Sequence, residues 1–115
     1  MINKRLIDAC EELDWVVHEY DDGSVELERY SPAGEDYIFS VRPSDSTFVE
    51  EVAAYAANFD PDEHIEMWIE AKHNGVAGVP NARELVHDAE AIDEMLQELA
   101  IELVQVEYEI KNEKN

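Results

Sequence analysis

The chain is predicted to be an α+β domain: an N-terminal helix, a three-stranded antiparallel meander, and three C-terminal helices packed on the sheet. Two changes of hydrophobic period and one long heptad carry that reading. Over residues 3–14 the apolar positions Leu6, Ile7, Cys10 and Leu13 recur at steps of three and four, the period of an amphipathic helix. At residues 15–20 (WVVHEY) the helical period stops and β-branched and aromatic residues dominate. Asp21-Asp22-Gly23 follows as a hairpin turn. Val25 and Leu27 alternate with Glu26 and Glu28, which marks a half-buried second strand. A further turn, SPAGED, leads to a third strand over residues 37–41, and Pro43 ends the sheet.

Ser44-Asp45-Ser46 offers an N-cap for a second helix over residues 47–58, with Phe48, Val49, Val52, Ala53 and Ala56 on one face. A third helix starts at Asp60-Pro61 and runs to about residue 73, where Asn74-Gly75 forms a left-handed stop and residues 75–80 a loop. Its expected anchors are Ile65, Trp68 and Ile69. Asn81 caps the fourth and longest helix, in which Leu85, Ala89, Ile92, Leu96, Leu99, Leu103, Val106 and Ile110 form a heptad seam. Residues 104–111 also alternate with period two, as a strand would; the unbroken heptad favours helix. No repeat or linker interrupts the chain, so residues 1–115 are expected to form one domain that buries roughly 65% of its unfolded surface.

Charge sets the class of partner. Eight Lys and Arg face 29 Asp and Glu, for a formal net charge of -21. Residues 1–43 hold eleven acids and four bases; residues 44–115 hold eighteen and four, so the helical part carries the larger excess. Such a field repels phosphates and acidic lipids and steers the chain towards basic protein surfaces. Direct binding to nucleic acid or membrane is therefore not expected, and the bland alternative is a solubility or salt adaptation. Cys10 is the sole cysteine, which rules out an internal disulfide and suits a reducing compartment. No apolar run approaches the length of a membrane span, and the N-terminus lacks the apolar core of a signal peptide, so the expected location is cytoplasmic.

Chemistry is sparse. The stretch FDPDEHIEMW gathers four acids and an imidazole, yet capping explains three of the acids: Asp60 before Pro61 is an N-cap, and Asp62 and Glu63 complement the helix dipole. His64, His73 and His87 have no metal-ligand spacing, and no phosphate loop, nucleophile elbow or paired-cysteine motif occurs. No catalytic residue, metal or cofactor is expected. The seam is flanked by acids, including Asp88, Asp93, Glu102, Glu107 and Glu109, which would repel across a parallel homodimer and favour packing within the chain. Ile101, Val104 and Tyr108 add a second apolar stripe, which leaves room for a partner or a second copy. On the third helix Glu63, Glu66 and Glu70 share a face, and Glu84, Asp88, Glu94, Glu98 and Glu102 do something similar on the fourth. Carboxylates three or four residues apart stand about 5–6 Å from one another, close to the spacing of phosphates on a strand. Asp21, Asp22, Glu35 and Asp36 at the hairpin turns extend the acidic surface. A charge run is usually a solvated face; the sharper reading makes these seven residues, 21, 22, 35, 36, 63, 66 and 70, contacts for arginine and lysine of a partner.

From Phe59 through Leu99, the motifs FDPDEHIEMWIEA, GVP and ELVHDAEAIDEMLQEL resemble those of short acidic proteins, of unassigned function, encoded on bacterial phages and conjugative elements. The resemblance covers about the C-terminal half and rests on a cap, a turn and a heptad. It implies an anti-CRISPR or anti-restriction role: a non-enzymatic nucleic-acid mimic that occupies the basic channel of a host nuclease. The alternative is a structural or adaptor protein of such an element that self-associates through Ile101, Val104 and Tyr108.

Overall fold

A computed structural model describes residues 2–31, 36–43, 47–75 and 81–113 of the chain. The first helix, α1 (Lys4–Glu12), starts where the Asn3 side chain accepts a hydrogen bond from the Arg5 N–H at 2.9 Å. It ends at Leu13, whose N–H donates to the Cys10 carbonyl, and Asp14 then adopts a left-handed φ of 68° that turns the chain into the sheet.

The predicted meander is present as β1 (Val16–Glu19), β2 (Val25–Tyr30) and β3 (Asp36–Val41), antiparallel in the order β1-β2-β3. Gly23, at φ 88°, lets the chain reverse between β1 and β2 without Cβ strain. The register aligns Val17, Leu27 and Phe39 across the three strands. Since side chains alternate, Val25, Leu27, Phe39 and Val41 are buried on one face, while His18, Glu26, Glu28 and Ile38 lie on the other.

The helix α2 (Phe48–Asn58) is capped by Thr47, which accepts from the Glu50 N–H at 3.1 Å. The expected caps at 44–46 lie outside the described residues, as does the turn at 32–35 with Glu35, and the cap that forms stands one position further on. Next come α3 (Pro61–His73) and α4 (Ala82–Glu113). Gly75, at φ 80°, supplies the left-handed residue after α3; the remainder of the expected loop, 76–80, is outside the described residues. Asn81 accepts from the Glu84 N–H at 2.9 Å and donates back to the Glu84 carboxylate at 2.7 Å, satisfying α4's first turn.

Through its 32 residues α4 is the spine of the molecule, which measures 55 × 27 × 21 Å. The helices α1, α2 and α3 all rest against it, α1 also meets β1, and α2 also meets β3. Leu85, Ala89, Ile92, Leu96, Leu99 and Leu103 of the heptad are buried, and Val106 and Ile110 pack against the core, so residues 104–111 are helix. The buried face is wider than the heptad, taking in Met95 and Ala100 as well. Opposite them stand Trp15, Leu27, Phe39 and Val52, with Trp15 edge-on to Phe39 at 5.5 Å between ring centroids. The Gln97 amide donates to the Ala56 carbonyl at 2.8 Å and closes the end of α2 onto α4.

Candidate functional site: an acid-rimmed aromatic groove

The third helix sits differently. Its start is as expected, with the Asp60 carboxylate accepting from the Asp62 N–H at 3.0 Å. Ile65 and Trp68 are only partly buried, and Ile69 is 48% exposed, so Ile69 is not one of its anchors. The helix leans on α4 and leaves a groove of about 690 Å³ between itself and β3, the strand at the edge of the sheet.

That groove is lined mostly by aromatic and apolar side chains: Tyr37 and Ile38 of β3, Tyr55 and Phe59 at the end of α2, and His64, Met67 and Trp68 of α3. Behind it Tyr55 stacks on Phe39 at 4.2 Å and 11°, while Tyr37 stands edge-on to Phe59 at 6.2 Å. The hydroxyls of Tyr37 and Tyr55 share a hydrogen bond. Burial first, and that hydrogen bond second, push the Tyr37 phenol well above its usual range, so it stays neutral at any physiological pH.

His64 closes the floor. The Trp68 indole N–H points to its Nε2 at 3.3 Å, and Oδ2 of Asp88 in α4 lies 3.8 Å from the same nitrogen. The two contacts ask opposite things of that atom: the first describes a neutral ring protonated on Nδ1, the second an ion pair with a charged one. Either way α3 is tied to α4 through a polar contact at its base. Asp88 is 1% exposed, which removes it from the acidic row expected along α4. Its burial was hidden in the sequence by an ordinary acidic seam flank. A partly buried imidazole beside a buried carboxylate has the residue types of an acid–base pair, but among the described residues lining the groove there is no serine, cysteine or lysine for them to activate.

The acids expected to contact a partner fall into groups. Asp36 and Glu63, one from the sheet and one from α3, meet at the groove with Asp60. Among the described residues lining it there is no lysine or arginine. Glu66 and Glu70 are exposed further along α3. Asp21 and Asp22 lie at the opposite end of β2 from Asp36, a six-residue strand or about 17–20 Å away. The Ser24 hydroxyl and N–H hold the Asp22 carboxyl below the usual range, with help from Arg42 at 3.1 Å. Glu35 is outside the described residues.

A second polar cluster lies on the outer face of the sheet. His18, Glu26 and Glu28 bring one ligand-type atom each to within 4.8 Å of one another, because the register sets His18 beside Glu26 and Glu28 on the diagonal. Tyr20 donates to Glu26 at 2.9 Å. The imidazole Nε2 is 4.0 Å from Glu28, the arrangement of a cross-strand charge pair on a largely open surface. On α4, Ile101, Val104 and Tyr108 are 70%, 51% and 62% exposed, so the second apolar stripe faces outwards. Among the described residues no helix is long and apolar enough to cross a membrane. Comparison with known proteins finds no match among family models, curated proteins or solved structures.

Proposed function

We propose that the chain is an acidic, non-enzymatic inhibitor, an anti-CRISPR-like nucleic-acid mimic that binds the basic nucleic-acid-binding surface of a host nuclease. The observation that supports this most is the exposed row Glu63, Glu66 and Glu70 on α3, in a chain whose net charge is -21. Helical spacing sets those carboxylates about 5–6 Å apart, where they compete with phosphates for arginine and lysine through charge-assisted hydrogen bonds. A partner held this way is captured at low salt and released at high salt. Pull-downs against host nucleases under both conditions are the test. Reversing Glu63, Glu66 and Glu70 to lysine is expected to abolish capture and inhibition while the circular dichroism spectrum stays unchanged. Failure to capture any basic partner sinks the reading.

The alternative, an adaptor that self-associates, draws on the outward-facing stripe of Ile101, Val104 and Tyr108. It predicts a dimer in sedimentation that is insensitive to salt and lost in Ile101→Glu or Tyr108→Glu. A monomer at all salt concentrations removes it.

A further inference from the structure

We infer that the groove between β3 and α3 is a seat for an arginine side chain carried on a basic segment of the partner protein. The inference rests on the inhibitor reading above and adds to it where the partner is gripped and which cation is preferred. An acidic row alone does not distinguish arginine from lysine, since each carboxylate sees only a positive charge. The groove does distinguish them. Tyr37, Phe59 and Trp68 offer partly exposed rings, and Asp36, Asp60 and Glu63 line the same groove as carboxylates. With no lysine or arginine among its described lining residues, that rim repels anionic occupants and favours cationic ones.

Between the two cations, geometry and hydration favour guanidinium. It is planar and weakly hydrated, so it can leave water to stack on aromatic rings while its five N–H donors stay in plane for carboxylates. Lysine's ammonium is compact and strongly hydrated, and it is better served by the open row at Glu66 and Glu70. The volume, about 690 Å³, falls within the range of sites that take a drug-sized ligand, more than one guanidinium fills. The neighbours of the seated arginine would therefore also lie in the groove, where Met67, 64% exposed, and Ile38, 44% exposed, offer apolar contact.

Short peptides of arginine alone and of lysine alone, matched in length, serve as probes, with calorimetry and tryptophan emission as readouts. Trp15 is fully buried in the core, so a change in emission that disappears in Trp68→Leu reports Trp68. At low salt the arginine peptide is expected to bind about tenfold tighter than the lysine peptide and to shift the emission. Phe59→Leu and Trp68→Leu should erase that preference by weakening the arginine peptide alone. Glu66→Gln with Glu70→Gln should weaken both peptides alike. If Phe59→Leu disturbs the fold, Met67→Arg at the exposed mouth tests the seat without touching the core, and it should lower the preference by setting the chain's own guanidinium over the rings. Equal affinity of the two peptides with unchanged emission, or a preference that survives in Trp68→Leu, overturns the arginine seat and leaves the acidic-inhibitor reading standing. Failure of both peptides to bind at low salt overturns the two together.

Discussion

The fourth and third helices are both rich in carboxylates, yet they are held in different ways. Nine residues of α4 are buried, and the helix they anchor meets α1, α2 and α3. On α3 no described residue is fully buried; Ile65, Trp68 and His64 give partial cover, and Met67 and Ile69 look outwards. Acidic composition therefore does not decide how firmly a helix is fixed; the apolar period does. The burial of so much of α4 in the core leaves it few exposed apolar positions for a partner outside the stripe of Ile101, Val104 and Tyr108. The looser seat of α3 is what opens a groove beside β3 and keeps Glu63, Glu66 and Glu70 on display.

Truncation separates the two regions most clearly. Leu96 is fully buried in the middle of α4, and Leu96→Ala removes methyl groups from a packed interior, which costs about 2–5 kcal/mol. Ile69→Ala on the open side of α3 should stay within about 0.5 kcal/mol. Urea melts of the two variants check the difference, and equal losses would mean that α3 is as much a part of the core as α4.

Asp88 is where the two regions touch through polar atoms. Asp88→Ala removes a buried carboxylate beside His64 and should cost about 1–3 kcal/mol. The loss should fall unevenly: amide exchange is expected to quicken along α3 and to change little at Leu96 and Leu99. Uniform exchange in both helices would show that Asp88 supports the core as a whole instead of the seat of α3.

These contrasts also explain how much was legible in the sequence. The heptad from Leu85 to Leu103 repeats over many turns, so its period alone announced helix, face and burial, even through the stretch that could also alternate as a strand. The strands were legible for the same reason, because Val25 and Leu27 alternate with acids. The groove was not, because its walls come from β3, α2 and α3, which are separated in sequence and brought together only by packing. Tyr37 and Tyr55 carry no local sign that their hydroxyls meet. Asp36 and Glu63 were singled out for charge, but their meeting at one groove is a property of the fold.

Alkaline pH probes the core from within. Burial pushes the Cys10 thiol up from 9.0 to about 12, with the neighbouring Glu11 charge adding to the effect. A group whose pKa is raised on folding supports the native state fully below its unfolded value and loses that support as pH climbs towards the folded one. Stability should therefore begin to fall near pH 9, by about 1 kcal/mol for the first unit above it, and Cys10→Ala should flatten that onset. Below it the thiol should react with a disulfide reagent only as fast as the protein opens. Rapid labelling of the native state would place Cys10 outside the core.

The smallest effect is expected on the outer face of the sheet. Glu28 is pulled above the ordinary carboxylate range by desolvation, then by the charge of Asp36 and a hydrogen bond shared with it, while His18 acts in the opposite sense. Being raised, its contribution is present below the unfolded value of 4.5 and lost as pH rises through the folded one, so at neutral pH the ionised side chain opposes folding. Glu28→Gln keeps the shape and removes the charge. It should raise the melting temperature slightly at pH 7 and leave it unchanged or lower at pH 4, where the carboxyl is already largely protonated. A variant that melts earlier at neutral pH would instead show that the contact with His18 outweighs the repulsion from Asp36, and that this face is held together by its charges rather than in spite of them.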